Sequence, residues 1–316
     1  MIATELYNGQ GLGNQLWVYC ITRLIASSKN CEFSILSKHE FKGVDFIELD
    51  FGVEIEGYTS NEGPCESLPN GIQNYYKEKK EVHSELNIDI SRTDENLFNI
   101  SPFTKIDGNL QSTKYISGKR KEILDWIKIK KDIQTESFLD ENSCVMHVRC
   151  GDFYGQKDVF LPTSYYENAM RLILEKNPNV KFYIVTDQPH LAGSLFPGVE
   201  IIGSSVLNIN DKMMASHHFG GPIETDFCLL LNSKYVIIPN SSFSWWAAYL
   251  NTKAELIIAP KYWSRFNISN GYWATSDMIA EEFMYLDREG NLSTPQDCLN
   301  EKNEFEKNNE HIFKTV

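Results

Sequence analysis

The six residues "HVRCGD" bring together three side chains that can do chemistry, His147, Arg149 and Asp152. His147 and Arg149 alternate around a valine, so on a strand both project from the same face of the sheet. A guanidinium at a strand end can bind a phosphate through two parallel N–H bonds. The alternative is an ion pair between Arg149 and Asp152. The Asp152 carboxylate suits a general base or the N-cap of a following turn, with the cap favoured.

Two further stretches place hydrogen-bond donors where helices begin. In "GQGLGNQ", Gly11 and Gly13 permit a tight turn and let backbone N–H groups approach an anion at the N-terminus of the next helix. In "NSSFSWW", the hydroxyls of Ser241, Ser242 and Ser244 follow an apolar run at another helix start. Both patterns predict phosphate cradles. A plain β–α turn and ordinary helix capping explain them equally well.

Two aspartates stand at the ends of predicted elements. Asp226 opens the apolar helix "DFCLLLNS", and Asp187 follows the strand "FYIVT". The helix dipole by itself explains an acidic residue in a first turn. If Asp226 faces the binding cleft instead, its carboxylate can accept two hydrogen bonds from a guanine edge. Asp187 suits a ligand contact or a loop cap, and the cap is slightly favoured.

Several catalytic signatures are absent from the sequence. The chain has no Walker A lysine loop, no H-E-x-x-H and no G-x-S-x-G. Its N-terminal glycines lack the G-x-G-x-x-G spacing, which argues against a dinucleotide-dependent oxidoreductase. No two aspartates are spaced D-x-D, the pair that would hold a divalent ion on a nucleotide diphosphate. A bound diphosphate would therefore depend on arginine, helix dipoles and hydroxyls in place of metal.

The composition excludes other classes of protein. The formal net charge of −13, from 30 basic and 43 acidic residues, argues against nucleic acid as a partner. No apolar run approaches the roughly 20 residues of a transmembrane helix, and the N-terminal residues lack a signal-peptide pattern. Seven cysteines without a C-x-x-C suit reduced thiols, which indicates a cytoplasmic protein.

The elements that position these residues alternate between strand and helix, which predicts an α/β fold with parallel sheets flanked by helices. Ligands of such sheets bind beyond the carboxyl ends of the strands. The polar stretches "GQGLGNQ", "HVRCGD", "TDQ" and "NSSFS" all follow predicted strands. A charged, mostly helical segment before the strand "SCVMHVRC" separates two halves, predicted as domains 1–140 and 141–316.

The stretches "GQGLGNQLWVY", "HVRCGD" and "NSSFSWWAAYL", in this order, resemble the α-1,2-fucosyltransferases of glycosyltransferase family 11. The typical family patterns are GGLGNQLFQYA, HxRRGDY and NSTFSWWGA, and the resemblance covers about residues 3–265. It implies two Rossmann-like domains facing a central cleft, the GT-B arrangement. Domain 1–140 would lie on the acceptor side, and domain 141–316 would bind the GDP-sugar and end in a helical tail.

The resemblance also implies a reaction. The donor would be GDP-L-fucose, used without metal or other cofactor, and direct displacement would invert the anomeric centre. The acceptor would be the 2-hydroxyl of a galactose-containing oligosaccharide of a bacterial surface glycan, such as a lipopolysaccharide O-antigen. The enzyme would work in the cytoplasm, where peripheral contact with the inner face of the membrane is left open.

Residue roles follow from the same resemblance. Arg149 would clamp the β-phosphate, His147 and Asp226 would address the guanosine, and Asn14 would reach the fucose and phosphate. Asp152 is the predicted base, with late proton loss to water as its rival. The remaining donor-binding residues of the prediction are Gly11, Gly13, Gln15, Asp187, Ser241, Ser242, Phe243 and Ser244.

Cys150 departs from the family pattern, which usually has a second arginine at this position. Alternation places Cys150 on the sheet face opposite Arg149, so a second arginine there would act indirectly. Activity is therefore still expected. Two alternatives remain open: a relative that uses another nucleotide sugar, and a nucleotide-sugar-binding protein without turnover.

Overall fold

In the computed structural model the described residues are 1–56, 58, 66–83, 92–130, 139–203, 223–269 and 271–315. The chain divides into two units. The first comprises Met1–Ile133, Thr275–Met278 and Asn309–Val316, and the second comprises Gln134–Ala274 and Ile279–Asn308. The sequence predicts two continuous domains, whereas these units are interleaved, because the chain returns to the first unit twice. The roles assigned to the two domains stay predictions.

A parallel sheet forms the centre of the first unit. The elements of this unit are β1 (Ile2–Glu5), α1 (Leu12–Ser28), β2 (Phe33–Leu36), β3 (Ile47–Glu48), β4 (Asn74–Lys77), β5 (Glu81–His83), β6 (Thr104–Asp107), α2 (Arg120–Trp126), β7 (Lys128–Ile129) and β15 (Phe313–Thr315). The sheet has the order β2-β1-β6-β4, with all strands parallel. Strands β3 and β7, and β5 and β15, form antiparallel pairs. Helix α1 is buried on nearly every side, which explains its apolar sequence.

A buried ion pair joins two neighbouring strands of this sheet. Lys105 Nζ on β6 donates to Glu5 Oε2 at the end of β1 (2.8 Å) and to the Tyr58 hydroxyl oxygen (2.8 Å). The side chains of Lys105 and Glu5 are only 2% and 5% exposed. Because a buried charge without its partner is strongly destabilising, each side chain requires the other. The pair secures the strand end from which the "GQGLGNQ" loop starts.

The second unit contains a larger sheet. Its elements are β8 (Ser143–Val148), α3 (Thr163–Lys176), β9 (Lys181–Thr186), α4 (Pro189–Leu195), β10 (Glu200–Ile201), α5 (Ile223–Asn232), β11 (Tyr235–Ile237), α6 (Ser242–Leu250), β12 (Leu256–Pro260), β13 (Met284–Leu286), β14 (Leu292–Ser293) and α7 (Pro295–Asn308). The order is β10-β9-β8-β11-β12-β13-β14, and β14 alone runs antiparallel among these described strands. The predicted α/β class with parallel sheets is confirmed in both units.

Alternation along β8 sorts its side chains between the two faces of the sheet. Cys144, Met146 and Val148 belong to a buried apolar cluster with α3. Cys150 continues this series and has no exposed surface. Burial raises the pKa of its thiol to about 11, so the thiol is protonated at neutral pH. Arg149 is 26% exposed, in contrast to its two buried neighbours.

Replacing Cys150 by arginine should destabilise the second unit. The guanidinium would lie among apolar side chains, and an uncompensated buried charge costs about 3–5 kcal/mol. Urea unfolding of Cys150→Arg measures the change. Cys31→Arg, at a half-buried position, is the control and should change the unfolding free energy by less than about 1 kcal/mol. A stable Cys150→Arg variant with increased activity would show instead that the position accepts the family's arginine.

Glu78, directly after β4, is a buried carboxyl group with a raised pKa. Its Oε2 accepts the Leu110 N–H (2.9 Å), and its Oε1 accepts the Tyr115 hydroxyl (3.2 Å). Burial raises its pKa to about 7 against these hydrogen bonds, and the nearby Asp94 adds to the increase. Gly108 is required beside it, because a Cβ there would lie 2.5 Å from the Glu78 Cβ.

The raised pKa of Glu78 should make the protein less stable as the pH rises. Native Glu78 binds its proton more tightly than the unfolded chain, whose carboxyl titrates near 4.5, so the unfolding free energy falls between about pH 4.5 and pH 7. The loss is of the order of 3 kcal/mol. Glu78→Gln should remove it, and urea unfolding at pH 5 and pH 8 measures the difference. The exposed Glu95→Gln variant should keep the parental pH dependence. An identical dependence in Glu78→Gln would contradict the expectation.

Candidate functional site

Three neighbouring strands of the second sheet end in residues singled out from the sequence. Arg149 follows β8, Asp187 follows β9, and Ser241 lies shortly after β11. These strands are adjacent in the order β9-β8-β11. Because neighbouring parallel strands end at the same edge, this edge gathers residues that are far apart in the chain, and such an edge is where α/β sheets bind ligands.

Arg149 is held by two carboxylates. Its Nη2 lies 2.7 Å from Asp152 Oδ1, and its Nη1 lies 2.6 Å from Asp187 Oδ2. The ion pair with Asp152 that the sequence offers as an alternative is therefore present. A guanidinium has five N–H donors, so pairing with two carboxylates is compatible with binding an anion as well. The two pairs fix the direction of the guanidinium.

Asp187 connects Arg149 to the end of β8. Its Oδ1 accepts the Cys150 N–H (2.9 Å) while its Oδ2 faces the guanidinium. Asp187 is thus a loop cap, the alternative favoured from the sequence, and it orients Arg149. Asp152 lies in the 3-10 turn Gly151–Phe153, and the N-cap of this turn is Cys150, so the predicted capping role of Asp152 is wrong. Donor contact by Asp187 and base catalysis by Asp152 stay predictions.

His147 is buried beside Arg149. Its side chain packs edge-on against the Phe243 ring, with 5.7 Å between the ring centroids. Burial and the neighbouring guanidinium lower its pKa to about 3, so the imidazole is neutral at physiological pH. Within the described residues, its Nδ1 is buried without a hydrogen-bond partner. Such atoms are rare in native structures, and this nitrogen suits a hydrogen bond to a ligand.

Helix α6 begins at the same edge of the sheet. Ser241 is its N-cap, and in the described structure the Ser241 side chain makes no capping hydrogen bond. The first turn has no acidic residue, so its N–H groups and dipole favour an anion. Ser241 and Ser242 are half-buried here. Ser244 is fully buried and its Oγ donates to Ser241 O (3.2 Å), so its hydroxyl does not face outward as a donor. The Phe243 ring packs against His147, and the group that Phe243 could offer to an anion is its backbone N–H.

Asp226, in the first turn of α5, contacts the chain just beyond β10. Gly203 has a φ of +91°, and a Cβ at this residue would lie 2.1 Å from Asp226 Oδ1. Only glycine therefore admits the carboxylate at this place. Gly203 is a positioning residue that the sequence prediction missed, because no local pattern in the sequence indicates its φ or its contact with Asp226.

The predicted residues of the first unit lie at the start of α1. Gly11 is the N-cap with a φ of −72°, and a Cβ on it would meet nothing within 4 Å in the described structure. This φ suits any residue, so the turn itself does not require a glycine at position 11, and the approach of an anion to Gly11 stays a prediction. The missing side chain instead leaves space at the helix N-terminus. Gly13 is buried within α1, and Asn14 Oδ1 accepts a hydrogen bond from Gln111 Nε2 (2.8 Å).

Gln15 has a structural role in the first unit. Its side chain is fully buried. Its Nε2 donates to Glu40 O (2.8 Å), and its Oε1 accepts the Lys42 N–H (2.9 Å). Both ends of the carboxamide thus hold the segment that follows β2, and donor contact by Gln15 stays a prediction.

Asn240, the first residue of "NSSFSWW", is a second residue missed from the sequence. Its Nδ2 donates to Val159 O (3.1 Å), which ties the end of β11 to the loop beyond Asp152. Its Oδ1 is buried and has no hydrogen-bond partner in the described part of the chain. The polar residue before two serines is a signal for this placement.

The described residues contain no group of three or more His, Cys, Asp or Glu side chains that could hold a metal ion. Over the same residues, no helix combines the length and apolar character needed to cross a membrane. Metal independence and cellular location stay predictions.

Comparison with known proteins identifies relatives among bacterial glycosyltransferases. The chain is 29% identical over 153 residues to an "Alpha-1,2-colitosyltransferase" of Escherichia coli, covering 46% of this chain and 50% of that protein. It is 26% identical over 131 residues to the "O-antigen biosynthesis glycosyltransferase WbnK" of Escherichia coli, covering 39% of each. The matches span half or less of the length of these curated relatives.

Solved structures to which the chain is similar include the fucosyltransferase NodZ from Bradyrhizobium, at 15% identity and a TM-score of 0.44, covering 92% of this chain and 97% of that chain. Another is the Escherichia coli heptosyltransferase WaaC with ADP, at 9% identity and a TM-score of 0.36, covering 98% of each chain. The sequence profile of "Glycosyl transferase family 11" matches residues 107–286, which is more than half of the chain. The chain belongs to glycosyl transferase family 11.

Proposed function

We propose that the chain transfers L-fucose from GDP-β-L-fucose to the 2-hydroxyl of a galactose-containing oligosaccharide, forming an α-1,2 linkage with inversion and without metal. Family membership supports the proposal, as does the resemblance of its motifs to the α-1,2-fucosyltransferases. The α-1,2 linkage also appears in the name of the colitosyltransferase relative. The O-antigen relative supports a place in bacterial surface-glycan synthesis. The location that we propose is the cytoplasm, and peripheral contact with the inner face of the membrane is left open.

The placement of Arg149 is the observation that carries this proposal. Two carboxylates orient its guanidinium at the carboxyl edge of the sheet, where α6 also begins. As the bond between fucose and GDP breaks, negative charge grows on the GDP phosphates. A fixed guanidinium and a helix N-terminus stabilise that charge without reorganisation during the reaction, which is the electrostatic form of catalysis. Ser241 and Ser242 would add hydroxyl donors beside it.

The guanosine would be bound by the other residues of this edge. His147 is neutral, so it can accept a hydrogen bond at one ring nitrogen and donate at the other. The carboxylate of Asp226 can accept the two N–H groups of a guanine edge, which uracil does not offer. These two contacts would select a guanine nucleotide, and the contact of Asn14 with the fucose and phosphate stays a prediction from the motif resemblance.

Inversion requires the acceptor hydroxyl to attack from the side opposite GDP. A base near that hydroxyl would take its proton as the new bond forms. Asp152 is our candidate, since its carboxylate is 55% exposed and held by Arg149. Late loss of the proton to water is the alternative, and it would leave Asp152 with an orienting role alone.

A second candidate function uses a different donor at the same site. The name of the colitosyltransferase relative favours this alternative, because it gives a deoxysugar other than fucose to a homologous protein. The residues assigned to GDP would be unchanged, and only contacts to the sugar would differ. A protein that binds the nucleotide sugar without turnover is the remaining alternative.

One assay separates these functions. GDP-fucose, GDP-mannose, a colitosyl donor and UDP-galactose are each offered with an array of galactosides, in the presence and in the absence of EDTA, and the linkage of any product is determined by NMR. Fucose α-1,2-linked to galactose is the expected product. Transfer from another donor would replace the first proposal with the second, and GDP binding without transfer would favour the non-catalytic alternative. Loss of activity in EDTA alone would overturn metal independence.

Arg149→Ala should abolish most transfer while the protein stays folded. Removing a group that stabilises developing charge lowers kcat about 100- to 1000-fold, and Arg149→Lys should lie between this variant and the parent. Steady-state kinetics and thermal unfolding measure the two effects. Arg171→Ala is the matched control, since Arg171 also pairs with a carboxylate but lies exposed on α3. A turnover of Arg149→Ala close to that of the parent protein would contradict the proposed stabilisation of phosphate charge by Arg149.

Asp226→Asn should weaken the preference for guanine. The amide replaces one acceptor by a donor, so the affinity for GDP should fall about 10- to 100-fold, whereas UDP binding should change little. Isothermal titration with GDP and UDP measures the difference. Glu224→Gln, in the same helical turn, is the control. An unchanged ratio of GDP to UDP affinity would remove Asp226 from base recognition.

A further inference from the structure

An aromatic side chain stands exposed in the loop that follows Arg149. Tyr154 comes directly after the 3-10 turn Gly151–Phe153, and its side chain is 57% exposed. The neighbouring Phe153 ring lies 5.7 Å from the guanidinium carbon of Arg149, so this turn has one ring against the guanidinium and the next one at the surface. A single exposed ring is common on protein surfaces. Tyr154 differs from such a ring in its place beside Arg149 and in the fixing of its loop.

The backbone at Tyr154 is tied to the end of β8. The N–H groups of Phe153 and Tyr154 both donate to Cys150 O, at 2.8 and 2.7 Å. Because Cys150 is fully buried, these two bonds anchor the turn to the packed face of the sheet. Gly155 follows with a φ of +91°, a conformation that glycine adopts without strain. The chain therefore turns sharply directly after Tyr154.

The far end of this loop is held by two asparagines from distant parts of the second unit. Asn267 Nδ2 donates to Lys157 O (2.7 Å) and to Phe160 O (2.8 Å). Asn240 Nδ2 donates to Val159 O (3.1 Å). Three carbonyl groups of the loop are thus bound by side chains outside it. A loop that is already fixed loses little freedom when a ligand binds, which lowers the cost of binding.

The Tyr154 ring itself is held in place and has polar neighbours. It packs edge-on against the Phe160 ring, with 5.4 Å between the centroids and 89° between the planes. The side chains that follow it, Gln156, Lys157 and Asp158, are polar and exposed. A protein partner would need a wider apolar area than one ring. A ligand with one small apolar face and a polar rim fits this surface, and a pyranose sugar is such a ligand.

We infer that Tyr154 is an acceptor-binding residue: its ring stacks on the apolar face of a galactose of the acceptor oligosaccharide. The axial 4-hydroxyl of galactose leaves the opposite face of the sugar ring as a continuous patch of C–H groups. Stacking removes this patch and the aromatic ring from water together. The candidate base Asp152 is two residues earlier, so the two Cα atoms lie within about 7 Å of each other. The inference rests on the proposed function, which supplies the acceptor, and it uses residues of the second unit alone.

Tyr154→Ala and Tyr154→Leu remove the ring. Each should raise the KM for the acceptor about 5- to 20-fold, since the stacking and burial of a ring have effects of this size. The kcat and the KM for GDP-fucose should change less than about 2-fold, because the lost contact binds the acceptor equally before and during transfer. Leucine keeps an apolar side chain against Phe160, so the loop stays supported in that variant. Tyr154→Phe keeps the ring and should keep the parental KM.

Leu174→Ala is the matched control. Leu174 is also an exposed apolar side chain of the second unit, at 39%, but it lies near the end of α3, from which the chain enters the start of β9 at the opposite edge of the sheet. The acceptor KM should stay parental in this variant. A parental acceptor KM in Tyr154→Leu would overturn the inference. An increase in Tyr154→Phe or in Leu174→Ala equal to that in Tyr154→Ala would also overturn it, because stacking on the ring would not explain the effect.

A binding measurement without transfer separates failure of the inference from failure of the proposed function. The protein is labelled with fluorotyrosine, and the 19F signal of Tyr154, one of 15 tyrosines, is assigned by its absence from Tyr154→Phe. With GDP present, lactose should shift this signal, whereas open-chain sorbitol should not. If lactose shifts the signal but the parent protein transfers no fucose, the proposed function fails while the galactoside contact stands. If saturating lactose leaves the signal in place, the inference fails whatever the activity.

Discussion

The candidate site depends on one constraint, the alternation of side chains along β8. This strand is hydrogen-bonded on both sides, to β9 and β11, and one face of it is packed into the apolar cluster with α3. A slip of one residue would exchange the two faces. Burial of Cys150 therefore also decides where Arg149 points. The Cys150 N–H, bonded to Asp187, adds the carboxylate that fixes the guanidinium.

The site charges are arranged differently from the other buried charges of the protein. Glu5 and Lys105 form a pair that is almost fully buried and serves the fold. Arg149 keeps a quarter of its side chain exposed, and its partner Asp152 is more exposed still. An arginine that is already paired with carboxylates loses less hydration when it binds a phosphate. The negative charges of the carboxylates also weaken the net attraction between the arginine and that phosphate. An arginine of this kind favours orientation over tight binding, which would suit the proposed role, because a nucleotide product would have to be released after transfer.

Local patterns in the sequence were sufficient to predict the α/β class, the strand ends and the direction of Arg149. Each of these depends on neighbours in the sequence, either the order of strands and helices or the alternation of side chains along one strand. They were not sufficient for the environment of Gln15 or of Ser244, whose side chains lie in the "GQGLGNQ" and "NSSFSWW" motifs but are buried by tertiary packing. Long-range contacts such as that between Gly203 and Asp226 also leave little trace in one sequence. Gly203 stands out only once its φ and its neighbour are known.

The interleaving of the two units has a consequence for the order of folding during synthesis. Strand β5 of the first unit pairs with β15, and the Thr93 N–H donates to Asp277 Oδ2 (3.0 Å), so both contacts await segments made after most of the second unit. The described strands of the second unit are all synthesised earlier, once Ser293, the last residue of β14, has left the ribosome. The N-terminal unit is therefore the last to be completed. A protease that removed residues 309–315 would leave the Arg149 edge intact and expose the β5 edge to pairing with another chain.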